Sequence, residues 1–222
     1  MVRLTGRHTR RIIAHRPSSH PVADLLPSVA SDPYLAEVEA ATNPRLQQAI
    51  GIGHKVRPED IGRAEPLVLA SFAYSEPSRF SDGTFGVYYA AYNLETAIAE
   101  SRFHTELFLR ATQTPPTTIF KRVLTASVHG NYENLLNEPA SAPLFDPDPT
   151  HYAAAQVHAR DLYIANAADG IIYVSVRDRR GRCVAAFRPR LVHLVNADHY
   201  LTFVYDGLAI DTVFEARLHP NR

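Results

Sequence analysis

The chain has 222 residues, of which 45% are hydrophobic and 21% are charged. This composition suits one α+β domain with its own core and argues against wholesale disorder. Lys plus Arg and Asp plus Glu number 23 each, so the formal net charge is zero. A neutral chain has no general positive field with which to coat nucleic acid or an anionic membrane.

The sequence also indicates the compartment. Its single cysteine, Cys183, cannot form an internal disulfide, which is typical of a reducing environment. The basic N-terminus lacks the apolar stretch of a secretory signal, and no apolar run approaches the ~18 residues of a membrane helix. We therefore expect a cytoplasmic protein with no membrane contact.

The first third of the chain predicts few regular elements. Residues 1–30 are rich in Arg, Pro and Ser and are expected to be irregular. Asp32-Pro33 is typical of a helix N-cap followed by proline in the first turn, which predicts a helix to about Thr42. Residues 51–66 carry three Gly and two Pro and predict a long connection. The apolar run Leu67–Phe72 predicts a short buried strand.

From Gly86 onwards strands and helices are predicted in a mixed order. Gly86–Ala91 is rich in strand-forming residues, and Asn93 can cap a helix that runs to about Arg110. Further strands are predicted at 118–128, 171–176 and 183–187, a helix at 150–167, and a hairpin at 200–205 and 208–214 around Asp206-Gly207. The prediction is a single α+β domain over residues 1–222.

Familiar catalytic and metal-binding motifs are missing from the sequence. Eleven histidines occur, but none belongs to an HExxH or HxH pattern, so we predict no metal site. The absence of a Gly-x-Ser-x-Gly elbow argues against a serine hydrolase. Cys183 lies in the middle of a predicted strand, where a small core residue is expected rather than a nucleophile.

A different set of polar residues remains. On the predicted helix, Glu100 shares one stripe with Ala97, His104 and Leu107. This stripe points partly inward, where an unpaired carboxylate is costly, so Glu100 needs a partner or a function. The loop residue Arg79 precedes it in the chain by 21 positions.

Two of the predicted strands supply further polar groups. Tyr89 lies on the strand before the helix, and Ser175 shares an unusually polar strand face with Tyr173 and Arg177. A cleft with one guanidinium, one phenol, one carboxylate and one hydroxyl is therefore one interpretation. The alternative is a structural Arg79–Glu100 ion pair with a packed tyrosine and an exposed serine.

Three separated motifs resemble the RES-domain family. They are residues 78–83 (SRFSDG) with 86–91 (GVYYAA), residues 94–100 (LETAIAE), and residues 170–177 (GIIYVSVR) with 183–189 (CVAAFRP). The family is named for an Arg, a Glu and a Ser, which here fall on Arg79, Glu100 and Ser175. The resemblance covers about residues 10–207. Phe80 departs from the Trp of many members.

This resemblance implies a fold and a function. The fold is ADP-ribosyltransferase-like, with mixed or antiparallel sheets flanked by helices. The function is that of a toxin in a toxin–antitoxin system, which cleaves the nicotinamide–ribose bond of NAD⁺ by phosphorolysis or hydrolysis and so arrests growth. NAD⁺ is then a substrate, and no prosthetic group is implied. The implied partner is a helix-turn-helix antitoxin of the Xre class in a hetero-oligomer, and any DNA contact belongs to that partner.

The resemblance also implies residue roles. Glu100 can stabilise the oxocarbenium-like centre that forms when the glycosidic bond breaks. Arg79 and Arg11 can hold the pyrophosphate, and Tyr89 can position the ribose or stack on the nicotinamide ring. Ser175 can hydrogen-bond the nicotinamide amide or orient Glu100. His104, one turn after Glu100, can support the residues that contact the substrate, and the alternative for it is a structural role outside the site.

Two alternatives stay open at this point. The same NAD⁺ site can serve an ADP-ribosyltransferase that modifies a protein target, so water, phosphate and protein are all candidate acceptors. The chain can also be a catalytically silent module that binds the antitoxin. Retention of Arg79, Tyr89, Glu100 and Ser175 together counts against silence.

Overall fold

A computed structural model describes residues 1–15, 65–73, 76–139 and 142–216. The predicted helix at 33–42 and most of the predicted connection at 51–66 lie outside these residues. The described strands are β1 (Val2–Ala14), β2 (Tyr88–Ala91), β3 (Thr117–Asn134), β4 (Gly170–Val174), β5 (Arg182–Ala186), β6 (Val192–Tyr205) and β7 (Ile210–Ala216). The described α-helices are α1 (Pro66–Ala73), α2 (Leu94–Ala111) and α3 (Ala153–Ile164).

The seven strands belong to one sheet in the order β1-β2-β5-β4-β3-β6-β7. β1 also pairs with β3 antiparallel, from Val2 opposite Tyr132 to Ala14 opposite Lys121. This second pairing closes the first five strands of the order into a ring, and β6 and β7 extend the sheet from the other edge of β3. Among the described pairs only β3 with β4 is parallel.

The predicted α+β class is confirmed, because a mixed and mostly antiparallel sheet carries helices on both faces. Successive side chains of each strand point to opposite faces of the sheet, so the core is divided into separate clusters on the two faces. Tyr88, Ala90 and Ile172 pack on one face with α1, whereas Ala91, Tyr173 and Cys183 pack on the other face with α3. A third cluster packs α2, through Leu94, Ile98 and Leu109, against β3, β6 and β7.

Local signals located several elements correctly. Asn93 caps α2, since its side chain accepts a hydrogen bond of 2.8 Å from the backbone N–H of Thr96. The hairpin at Asp206-Gly207 joins β6 to β7, and Asp206 Oδ1 accepts from the backbone N–H of Leu208 and of Ala209. The predicted helix at 150–167 is shorter, because a 3₁₀ turn at Pro149–His151 precedes α3.

Two predictions for the first third are wrong. Residues 2–14 are not irregular but form β1, which pairs along nearly its whole length with β3, more than a hundred residues later in the chain. Leu67–Phe72 belongs to helix α1 instead of a strand. A short apolar run does not distinguish a buried strand from a buried helix, and α1 buries Val68 and Phe72 against the sheet.

We expect Asn93→Ala to lower the free energy of unfolding by about 1 kcal/mol, because it removes the side-chain acceptor for the first turn of α2. Urea denaturation measures the effect. Asn93→Ser is the matched control, since serine is also a good N-cap and should retain most of the stability. Equal stability of the alanine variant and the wild type would show that the cap contributes nothing.

Candidate active site

A cleft of about 620 Å³ lies over β1 and β2. One wall is the inward stripe of α2, and the other is the segment 77–79 together with the start of α3. Five of the six residues singled out from the sequence line this cleft, namely Arg11, Arg79, Tyr89, Glu100 and His104. The sixth, Ser175, lies directly behind Glu100.

Glu100 and Ser175 are joined by a short hydrogen bond. The Ser175 hydroxyl donates to Glu100 Oε1 at 2.6 Å. The same hydroxyl oxygen accepts the backbone N–H groups of Arg177, at 3.0 Å, and Asp178, at 2.9 Å. Because these two donors occupy the lone pairs of the oxygen, the hydroxyl proton is directed at the carboxylate. The buried Ser175 hydroxyl thus fixes one oxygen of Glu100, and its two expected roles, toward the nicotinamide amide and toward Glu100, stay predictions.

A second contact fixes the same two elements against each other. The Thr96 hydroxyl, in the first turn of α2, donates to Asp178 Oδ2 at 2.6 Å. This hydrogen bond holds the pKa of Asp178 below its ordinary value. Gly181 closes the turn, and a Cβ there would lie only 2.2 Å from Thr96 Oγ1. The turn that carries Ser175 is therefore docked tightly onto the helix that carries Glu100.

Arg79 is buried at the opposite wall and bonds to the protein as well as lining the cleft. Its Nη1 donates to the carbonyls of Leu144 (3.0 Å) and Asp146 (2.9 Å), and its Nη2 donates to the Tyr152 hydroxyl (3.1 Å). Of the five N–H groups of a guanidinium, two have no partner among these contacts, and the guanidinium lies 4.3 Å from the centre of the Tyr152 ring. Among the described contacts no ion pair joins Arg79 to Glu100, so the alternative structural pair is absent.

Tyr89 anchors the turn that carries Arg79. Its hydroxyl accepts the backbone N–H of Phe80 at 2.8 Å and shares a 2.9 Å hydrogen bond with the Ser78 hydroxyl. Burial raises the pKa of Tyr89 to about 12, so the phenol stays neutral near pH 7. Its ring also faces the cleft, and the expected contact with ribose or nicotinamide stays a prediction.

Arg11 of β1 contacts two residues of the neighbouring strand β2. Its Nη1 donates to the Tyr89 carbonyl at 2.8 Å, and its guanidinium lies 5.2 Å from the centre of the Tyr88 ring. Burial lowers the pKa of Arg11 from its ordinary value. The buried Nε has no partner among the described residues. The expected contact of Arg11 with pyrophosphate stays a prediction.

His104 and Cys183 are two further titratable groups of the cleft. Loss of water contact in the cleft lowers the pKa of His104, and the neighbouring Glu100 opposes that shift. Burial raises the pKa of the Cys183 thiol well above its ordinary range, so the floor of the cleft holds a neutral thiol. This agrees with a packing role for Cys183.

Sequence reasoning did not identify several polar residues of the cleft, among them Tyr152, Arg10 and Lys121. Tyr152 lies within the predicted helix at 150–167, and its hydroxyl accepts a hydrogen bond from Arg79. Arg10 and Lys121 also line the cleft, and no local signal marks them, because they meet through the pairing of β1 with β3.

In the described part of the chain, no group of three or more His, Cys, Asp or Glu is arranged to hold a metal ion. The helices described there are all too short or too polar to cross a membrane.

The sequence matches the model of one known protein family. The family model of the RES domain matches residues 56–206, about two thirds of the chain and all of Arg79, Glu100 and Ser175. The chain belongs to the RES family. The resemblance noted from the three motifs is thereby confirmed.

Two more distant similarities accompany this match. An uncharacterized protein of Sinorhizobium fredii (strain NBRC 101917 / NGR234), y4oC, is 26% identical over 183 residues, which are 81% of this chain and 75% of that protein. The chain is also similar to a chain in the crystal structure of the M. tuberculosis MbcT–MbcA toxin–antitoxin complex, with 11% identity and a TM-score of 0.41. That alignment covers 92% of this chain and 87% of the other.

We expect Arg79→Met to lower the free energy of unfolding by roughly 3 kcal/mol, since it leaves two carbonyls and a hydroxyl without their donor. Tyr152→Phe removes one of these three hydrogen bonds and should cost about 1 kcal/mol. Urea denaturation of both variants tests the ranking. If Arg79→Met were as stable as the wild type, these hydrogen bonds would not hold the wall of the cleft.

Proposed function

We propose that this RES-family protein is the toxin of a toxin–antitoxin system and that it cleaves the nicotinamide–ribose bond of NAD⁺. Family membership supports the proposal, together with the ADP-ribosyltransferase-like fold expected of the family. The observation that carries it is the 2.6 Å hydrogen bond by which Ser175 orients Glu100 at the wall of an open cleft.

The chemistry requires a fixed negative charge near the anomeric carbon. When the C1′–N bond breaks, its electron pair leaves with nicotinamide and the ribose becomes oxocarbenium-like. Glu100 is only partly buried and lines the cleft. Ser175 donates to Oε1, and no hydrogen bond to Oε2 is found among the described residues. A preoriented carboxylate stabilises the developing positive charge without reorganising during the reaction.

The other groups suit a bound dinucleotide. The cleft volume lies within the usual range for small-molecule sites. Arg79 has two N–H groups left for a phosphate, and charge-assisted hydrogen bonds of this kind are strong. The Tyr89 ring provides an aromatic surface close to Arg79. NAD⁺ enters this scheme as substrate, and water, inorganic phosphate or a protein side chain accepts the ADP-ribosyl group.

The proposed partner is a helix-turn-helix antitoxin of the Xre class that covers the cleft in a hetero-oligomer. Because the formal net charge of this chain is zero, we expect that any contact with DNA is made by the partner and not by this chain.

The direct test is release of nicotinamide from NAD⁺ by the purified protein, with and without inorganic phosphate. Phosphate-dependent release with a phosphorylated ADP-ribose product identifies phosphorolysis, and free ADP-ribose identifies hydrolysis. Label transfer from NAD⁺ to protein identifies an ADP-ribosyltransferase. Folded protein that releases no nicotinamide in any condition would contradict NAD⁺ cleavage and favour a silent antitoxin-binding module.

Glu100→Gln should lower turnover at least about a hundredfold, the scale of losing one preorganised electrostatic contact with the transition state. NAD⁺ affinity and melting temperature should change little, because glutamine keeps the size and most hydrogen-bonding capacity of glutamate. Glu95→Gln, at an exposed position on the same helix, is the matched control. If the folded Glu100→Gln variant stays within about threefold of wild type, Glu100 is not the catalytic carboxylate.

Ser175→Ala tests the positioning role separately. Loss of the donor lets the Glu100 carboxylate rotate, so kcat should fall roughly tenfold or more while KM changes only a few-fold. Ser127→Ala, at a serine that does not line the cleft, should leave both constants unchanged. If Ser175→Ala loses stability while its folded fraction keeps a normal kcat, Ser175 has only a structural role.

A further inference from the structure

One end of the cleft holds a cation that the proposed reaction does not use. Lys121 of β3 is buried, at 9% exposure, beneath the C-terminal half of α2. Its Nζ donates to the Thr105 hydroxyl at 2.9 Å and lies 5.6 Å from the centre of the Phe203 ring. In the described ranges no carboxylate forms an ion pair with Lys121.

Burying an ammonium group without a counter-charge is costly. Burial lowers the pKa of Lys121, and no neighbouring charge contributes to that shift. An ammonium group has three N–H donors, and Thr105 accepts only one of them. Two donors therefore have no hydrogen-bond partner among the described residues, and Lys121 lines the cleft.

A second cation lies on the same face of the sheet. Ala14 is opposite Lys121 and Arg10 is opposite Thr125, so Arg10 and Lys121 flank Ile12 on the floor of the cleft. The Arg10 guanidinium makes one hydrogen bond in the described structure, to the carbonyl of its neighbour Thr9. Most of its donors are thus also available.

This cationic end is separate from Glu100. Thr105 follows Glu100 by five residues on α2, which is about 7.5 Å along a helix axis. Glu100 is the one acidic residue among the described residues that line the cleft, whereas Arg10, Arg11, Arg79 and Lys121 are basic. The positive charge at the Lys121 end therefore has no carboxylate paired with it among the described residues that line the cleft.

We propose that Lys121, Arg10 and Thr105 form an anion subsite that takes a phosphoryl group. Donors that converge from a sheet and a helix suit a tetrahedral anion with several acceptor oxygens. The inference deepens the proposed function, since it concerns the same cleft. The phosphoryl group has two sources: a phosphate of the dinucleotide, or free inorganic phosphate whose oxygen bonds to C1′ as the C1′–N bond electrons leave with nicotinamide.

Calorimetric titration with inorganic phosphate and pyrophosphate tests the subsite without any turnover. We expect wild type to bind at least one of these anions and to gain melting temperature in its presence. Lys121→Met should bind at least about tenfold more weakly, the loss of one charge-assisted contact. Its melting temperature without anion should equal or exceed that of wild type, because methionine removes a buried unpaired charge.

Two further variants control for the loss of a positive charge and for misfolding of the Lys121 variant. Arg102→Met removes a positive charge from the exposed side of the same helix, where Arg102 pairs with Glu106, and should bind the anions as wild type does. Arg10→Met, at a half-buried position, should weaken anion binding several-fold even if the Lys121 variant does not fold. Wild type that binds neither anion, or Lys121 and Arg10 variants that bind as well as wild type, would overturn the subsite.

NAD⁺ titrations of variants that also carry Glu100→Gln identify which of the two sources supplies the phosphoryl group. Lower NAD⁺ affinity on adding Lys121→Met, with competition by phosphate, assigns the subsite to the dinucleotide. Unchanged NAD⁺ affinity, with loss of phosphate-dependent nicotinamide release in the Lys121→Met single variant, assigns it to free phosphate. Anion binding that is normal in a protein without NAD⁺ cleavage would contradict the proposed function and leave the subsite standing.

Discussion

The antiparallel pairing of β1 with β3 is the constraint on which the rest of the structure depends. It runs over nearly the whole length of β1 and closes five strands into a ring. Within that ring β2 has only four residues, yet it pairs with β1 at Ala91 and with β5 along its length. Because both edges of β2 are fixed, Tyr89 has a fixed place on the floor of the cleft.

Each wall of the cleft is then attached to this floor by a polar contact. On one side Ser175 and Asp178 join the turn after β4 to Glu100 and Thr96 of α2. On the other side the Tyr89 hydroxyl joins β2 to the backbone of Phe80, beside Arg79. The residues that give the family its name thus act first as connectors between elements. Their remaining donors and acceptors are what a ligand can use.

The distribution of charge in the cleft is uneven in a way that suits an anionic substrate with one cationic centre. Glu100 provides negative charge at a single point, where the proposed oxocarbenium develops. Arg79 and Lys121 provide positive charge at separate places, which suits the phosphates proposed to bind there. Low-dielectric walls strengthen both effects, because buried charges are screened less than exposed ones.

The sequence by itself determined the features that are encoded within a few residues. The Asn93 cap, the helical stripe with Glu100 and His104, and the Asp206-Gly207 turn are local patterns, and the three motifs around Arg79, Glu100 and Ser175 were sufficient for the family. Only the tertiary structure decided that residues 2–14 are a strand, that Leu67–Phe72 is helical, and that Arg79 bonds to Tyr152 and two carbonyls instead of Glu100. It also brought Lys121 beneath α2. Each of these features depends on residues that lie far away in the chain. The local sequence does not specify which distant segment will bury a given stretch or pair with it.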